Sequence, residues 1–286
     1  MGHPLNKDNK LQAIARFAKW QIGSRLIGGA VVFDWINGSK FLVKAGEAGL
    51  TGNIYAGLHE FADMGFLLHF LRQRDLFIDV GANVGSYTIL ACSAIGAHGY
   101  AFEPVARTYK RLIENVRLND MQERVKCFNI GIGSEPGIAK FTTDLDTVNH
   151  VVVEGEQSAS VADVEVSTLN MVLKGMQPSL IKVDVEGYET QVMAGASEVL
   201  KAPTLHSVIM ELNGSGGKFG YCEARILELM SDYGFGTYSY NPLTRDLINL
   251  NGKTFTSGNT LFIRDEALVV DRLKTSPTIE IYGKAL

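Results

Sequence analysis

Residues 79–87 read DVGANVGSY and follow directly on the apolar run Leu76-Phe77-Ile78. An apolar run that ends in a glycine-bearing turn and passes into a helical pattern is a strand-to-helix joint of an open α/β sheet, and such sheets bind ligands beyond the carboxyl ends of their strands. Gly81 allows positive φ and a close approach of the backbone to a ligand, and Gly85 allows tight packing of the following helix. A dinucleotide site would read G-x-G-x-x-G here, whereas this chain carries Asn83 where the middle glycine belongs. Asp79, at the strand's end, repels a pyrophosphate and attracts an ammonium group.

Outward from this turn, short apolar runs alternate with segments of helical period, the signature of βαβ units and a parallel sheet. The strands expected are LFIDV (76–80), GYAFE (99–103), VKCFNI (125–130), LIKVDV (180–185) and SVIMEL (207–212). Helices are expected near 86–95, 108–119, 189–200 and 223–233, with an antiparallel pair from FGTYSYN (235–241) and TLFIRD (260–265). Residues 134–170 have Thr, Val and alternating polar residues instead of a helix, and read as an inserted β-hairpin. Glu103 ends the second strand, where an acid can accept hydrogen bonds from two ribose hydroxyls. A ligand with an amino acid at one end and a nucleoside at the other satisfies Asp79, the glycine turn and Glu103 together, and S-adenosylmethionine is such a ligand.

Composition bounds the alternatives. The chain has 286 residues, 46% apolar and 20% charged, with net charge −4, so no broad positive field exists to hold nucleic acid by counterion release. Cys92, Cys127 and Cys222 are far apart and read as reduced, buried thiols without metal or disulfide spacing. No apolar stretch of about 18 residues marks a membrane span, and the first ten residues lack the apolar core of a signal peptide. A cytoplasmic protein is expected. Residues 10–22 put Leu11, Ile14, Ala15, Ala18 and Ile22 on one helical face. This reads as a helix docked on the main domain, with weak peripheral membrane contact as the alternative.

At these motifs the sequence resembles the FkbM-type S-adenosylmethionine-dependent methyltransferases. The carriers are DVGANVGSYT (79–88), AFEP (101–104), NIGIG (129–133), IKVDVEGYE (181–189) and VIMELN (208–213), within a resemblance running from about residue 53 to 263. It implies an α/β, Rossmann-like class I methyltransferase fold, a mostly parallel seven-stranded sheet with an antiparallel last strand, and O-methylation of a small molecule, sugar or glycan. The organisation expected is an amino-terminal helical cap over 1–75, the methyltransferase domain over 76–270 and a carboxyl-terminal tail over 271–286. Carried over by position, Asp79, Gly81, Ala82 and Asn83 surround the methionine part and Glu103 the ribose. Asn129 and Ile132 flank the adenine.

Methyl transfer from a sulfonium to a hydroxyl asks the protein to align the reactants and remove a proton. Asp184 and Glu186 in KVDVEGYE lie at the end of the fourth strand, and alternation sends both the same way. Two close carboxylates raise one pKa and make a base. Their competing roles are anchoring the cofactor loop for Asp184 and capping the next helix for Glu186. Glu211, ending the fifth strand, faces the same rim, and His59 stands upstream with Glu60 where a cap folds over the cleft. Lys182 reads as a snorkelling or edge residue. Asp184, Glu186 and Glu211 could hold magnesium, but their spacing is not diagnostic and no metal is assigned. Tyr188, Phe219, Tyr221 and Tyr240 are candidates to stack on a sugar. Alternatives of other classes are a catalytically silent cofactor-binding module, an RNA methyltransferase and a dehydrogenase.

Overall fold

Runs of four or five apolar residues are long enough for a strand and too short for a helix with a buried stripe. In the computed structural model, which describes residues 3–7, 10–26, 29–44, 48–143, 149–152, 160–256 and 258–286, they form the parallel part of the main sheet. The strands in chain order are β1 Val31–Asp34, β2 Lys40–Val43, β3 Leu76–Val80, β4 His98–Phe102, β5 Val125–Phe128, β6 Gly131–Ile132, β7 Gly137–Thr142 and β8 Val161–Ser167. They continue with β9 Leu180–Val183, β10 Ser207–Met210, β11 Gly236–Asn241, β12 Asp246–Asn249, β13 Thr260–Ile263, β14 Glu280–Ile281 and β15 Lys284–Ala285. The helices are α1 Lys10–Leu26, α2 Ala48–Ala56, α3 Phe61–Phe70, α4 Ser86–Ile89, α5 Ala106–Leu118, α6 Leu169–Val172, α7 Glu189–Ala194, α8 Ser197–Leu200, α9 Glu223–Asp232 and α10 Glu266–Thr275.

The main sheet has the order β12-β11-β13-β10-β9-β3-β4-β5. β5, β4, β3, β9 and β10 run parallel, and β13 runs antiparallel between β10 and β11. This is the class I methyltransferase fold expected from the sequence, with β12 folded back on β11 as an eighth strand. After β3 the chain first builds outward through β4 and β5, then returns to β3's other side as β9. The crevice at that reversal lies beyond the carboxyl ends of β3 and β9, where Asp79 pairs in register with Lys182.

Alternation along each strand feeds two cores. Phe77, Leu180, Ile209 and Leu261 pack with Phe66 and Phe70 of α3 and Leu112 of α5. Ile78, Phe102, Ile181 and Val208 pack on the other side with Val192, Ile226 and Met230. The expected helix over 189–200 is broken into α7 and α8 at Gly195, where a Cβ would stand 2.1 Å from the carbonyl oxygen of Gly133.

Before β3, Phe41, Val43, Leu50 and Ile54 join the first core. Polar side chains of α5 tie down the β1–β2 hairpin: buried Asn115 accepts from the Leu42 N–H at 2.7 Å and donates to the Val84 carbonyl at 2.8 Å. Asn115→Ala leaves both backbone groups without that partner, and a loss of about 2–4 kcal/mol is expected in urea unfolding. At the other end β14 and β15 pair, and Ile279, Ile281 and Leu286 enter the first core.

The insert supplies a second, three-stranded sheet: β7 and β8 pair antiparallel as the expected hairpin, and β6 adds parallel to β8. Residues 144–148 and 153–159 of that insert lie outside the described residues. α1 docks, but not by the expected face: Trp20 and Ser24 are buried, while Leu11, Ile14, Ala15 and Ile22 are exposed. The three cysteines are unpaired thiols, but only Cys92 is buried; Cys127 is half-buried and Cys222 exposed. Among the described residues, no helix is long and apolar enough to cross a membrane.

Candidate functional site

At the end of β3 the chain must turn sharply under the end of β9. Gly81 does so with φ +80°, and a Cβ there would lie 1.8 Å from the carbonyl oxygen of Asp184. Gly81 and Ala82 donate their N–H groups to the Phe102 carbonyl at 3.1 and 2.9 Å, which joins the turn to β4. Asn83 takes φ +52°, a left-handed conformation that asparagine tolerates, so it replaces a glycine without losing the turn. Gly85 faces Leu112 of α5, 2.7 Å from where its Cβ would be, so it serves packing with the second helix after the turn and does not line the cleft.

The turn opens on a cavity of about 330 Å³, within the usual range for a small-molecule site. Asp79, Gly81, Ala82, Asn83, Glu103, Asp184, Glu186, Glu211 and His59 all line it, together with Glu60, Tyr87 and Lys182. Phe141 and Asn149 close it from the insert. The cap and the insert thus reach the cavity, whereas the loop after β10, which makes the short turn Ser215–Phe219, does not line it.

Asp79 is fully buried. One carboxylate oxygen accepts from the Thr88 hydroxyl at 2.6 Å and the other has no partner, so burial raises its pKa, with Lys182 opposing. Glu103 accepts one backbone N–H on each oxygen, from Asn83 at 3.0 Å and Val105 at 2.9 Å. A carboxylate oxygen has two lone pairs, so each can still accept from a hydroxyl. Burial pushes this acid up to about 7. Asn129 does not face a base pocket: its amide donates to the carbonyls of Glu103 and Pro104, both at 2.9 Å, and so holds the segment after β4 in place. Ile132 lines a small apolar hollow next to the main cavity, shared with Ile130, Phe141, Val185 and Tyr188.

The catalytic candidates meet at the other side. Oxygens of Asp184, Glu186 and Glu211 all lie within 4.8 Å of one another. Strand alternation does not bring them together, because β9 ends at Val183 and Glu186 sits in a turn at φ +55°. Nor does Glu186 cap the following helix. Buried Glu189 instead holds the turn before α7, accepting the N–H groups of Val185 and Gly187 at 3.2 and 3.0 Å, and no side chain caps that helix. Burial, then the charges of Asp184 and Glu186, push Glu211 up to about 8, and burial followed by Asp184 raises Glu186. His59 is exposed at the cavity mouth with its ring against Gly52.

Lys182 is the largest departure from expectation. It is 3% exposed in a central strand, ion-paired to Asp184 at 2.7 Å and 4.7 Å above the Tyr87 ring. Burial alone would lower its pKa, but Asp184, Glu60 and Asp79 together raise it. A lysine inside the apolar run LIKV was the available signal, since a buried ammonium requires carboxylate partners. Two more cavity residues escaped the reading. Tyr87 has a buried hydroxyl with no hydrogen-bond partner, and burial followed by Glu60 and Asp63 pushes its phenol far up. Glu60, noted only as the neighbour of His59, accepts from Asn259 at 2.8 Å. The same amide also reaches buried Asp63 at 3.1 Å, and burial pushes that acid up to about 7. Among the aromatic candidates, Tyr188, Phe219 and Tyr221 gather at the margin, with centroids 5.5 to 6.4 Å apart. Tyr240 does not join them: it is buried against Phe66, its hydroxyl 2.6 Å from His69 Nδ1.

The family model described as the methyltransferase FkbM domain matches residues 79–236. The hexuronic acid methyltransferase AglP of Haloferax volcanii is 30% identical over 148 residues, covering 51% of this chain and 59% of that protein. The methyltransferase sdnD of Sordaria araneosa is 28% identical over 162 residues, covering 45% of this chain and 62% of that protein. The match thus spans about three-fifths of the length of these relatives. Among solved structures, the methyltransferase FkbM from Methylobacillus flagellatus KT is similar at a TM-score of 0.46 and 14% identity, over 75% of this chain and 52% of that one.

Proposed function

The chain belongs to the FkbM methyltransferase family, and from this we propose that it transfers a methyl group from S-adenosylmethionine to a hydroxyl of a sugar or another small molecule. One observation carries the reading: a single cavity joins the glycine turn and Glu103 to the carboxylates of Asp184, Glu186 and Glu211. The residues fit the cofactor. The free oxygen of Asp79 and the free hydroxyl of Tyr87 are buried polar atoms that call for a polar ligand, and Glu103 keeps lone pairs for a ribose. Asp79, Glu60 and Tyr87 would hold the amino-acid end, Glu103 the ribose, and the hollow at Ile130, Ile132 and Tyr188 the base.

When bound, the cofactor supplies a methyl group on a positively charged sulfur. The protein's own contribution is alignment and proton removal. Glu211, raised to about 8, has the affinity suited to taking a proton from a hydroxyl near neutral pH. Asp184, ion-paired to Lys182 at 2.7 Å, stands beside Glu211 and helps hold the proton that Glu211 takes up. Phe219 and Tyr221 offer ring faces for the apolar side of a sugar.

A hexuronic acid, the substrate in the name of one relative, carries both hydroxyls and a carboxylate. The acid-lined cavity favours presenting the hydroxyl, because an anion brought beside Asp184 and Glu186 is repelled. The same argument, with the net charge of −4, disfavours RNA. Incubation with methyl-labelled cofactor and a panel of neutral sugars, uronic acids and RNA is expected to label a sugar and leave RNA blank. Labelling of RNA alone would reverse the assignment, and binding without labelling of any acceptor would favour a silent cofactor-binding module.

A further inference from the structure

α1 is apolar on two opposite faces. One face is docked: Trp20 is 8% exposed, and Arg16 lies 3.8 Å over the Tyr282 ring while donating to Asn6 at 2.6 Å. The other carries Leu11, Ala15, Ala18, Ile22 and Leu26, spaced four, three, four and four residues apart, which makes one stripe on a helix of 3.6 residues per turn. Leu11, Ile22 and Leu26 are 83%, 62% and 80% exposed, and nothing among the described residues covers them. Ile14 extends the exposed surface to one side.

The charge of this helix selects its partner. Residues 10–26 contain Lys10, Arg16, Lys19 and Arg25 and no acid, in a chain of net charge −4. On the helical wheel Lys19 and Arg25 stand on either side of the stripe. Apolar centre and cationic flanks match the boundary between acyl chains and anionic headgroups. A second copy of the chain would bring the same cations face to face and pay like-charge repulsion, which argues against self-association there.

We propose that the outer face of α1 seats the protein on an anionic lipid surface, with Leu11, Ile22 and Leu26 entering the acyl boundary and Lys19 and Arg25 meeting headgroup phosphates. Co-sedimentation of the full chain with vesicles of phosphatidylglycerol and phosphatidylcholine tests this, against vesicles of phosphatidylcholine alone. Binding is expected only to the anionic vesicles, weakened by salt and reduced about tenfold or more by Leu11→Ser with Ile22→Ser and Leu26→Ser. These positions are exposed, so the melting temperature should stay unchanged. The pair Lys19→Gln and Arg25→Gln should reduce binding without touching the stripe. No binding to anionic vesicles would overturn the proposal, as would undiminished binding by the serine variant. Sedimentation velocity showing a dimer that the serine variant abolishes would overturn it in favour of a second copy.

Discussion

Glu211→Gln is expected to lower kcat by about 10²–10⁴-fold, the usual contribution of a positioned base, and to remove the rise of rate with pH. Glu211 directly follows β10 and is pushed up to about 8 by burial and by the charges of Asp184 and Glu186. Its proton is on below that pH and off above it, so the wild-type rate should climb through about pH 8 as the base form appears. Glutamine keeps the shape and removes the titration, so the variant's residual rate should be flat in that range. The Kd for S-adenosylhomocysteine should stay close to wild type, because Glu211 lies outside the glycine turn. An inflection that persists near 8 in the variant would move the proton transfer to another group, with Glu186 and His59 next to be tested.

A large loss of stability is expected at Gly81→Ala. An L-residue held at φ +80° costs about 1–2 kcal/mol. The added Cβ also meets a backbone oxygen at 1.8 Å, so no rotamer change relieves it and the ends of β3 and β9 must part. Overpacking of that kind adds about 1–3 kcal/mol. Together these predict about 3 kcal/mol and a fall in melting temperature of roughly 6–12 °C by calorimetry. Cofactor affinity should fall as well, because the same displacement moves the Asp184 segment away from the turn. Gly217→Ala, with open space around its Cβ, is the control and should change stability by less than about 0.5 kcal/mol.

The fold was legible because its strands are short apolar runs bounded by turn residues, and because Gly81 and Asp79 mark one joint as different from the others. The gathering of Asp79, Glu103, Asp184 and Glu211 followed from their common place at strand ends. Contacts made across long sequence separations were not legible. Asn129 was assigned to a ligand, yet its amide spans 25 and 26 residues back to the Pro104 and Glu103 carbonyls. Lys182 was read from its own segment, although its burial is tolerated only because Glu60, Asp79 and Asp184 converge on it. Glu186 and Glu189 are close in sequence and alike in chemistry, and the left-handed turn at Glu186 leaves Glu189 to hold the segment before α7 through the Val185 and Gly187 N–H groups. For α1, the periodicity identified an apolar stripe correctly but not which of two apolar faces docks, since that depends on Trp20 finding its place in the first core.

Isothermal titration calorimetry of the wild-type chain with S-adenosylhomocysteine tests the cofactor cleft most directly. One-site binding is expected, weakened at least about tenfold by Glu103→Ala, which removes the acceptor for the ribose hydroxyls. A folded wild-type chain that gives no binding, or a Glu103→Ala variant that binds as well as wild type, would contradict the assignment of this cavity to S-adenosylmethionine.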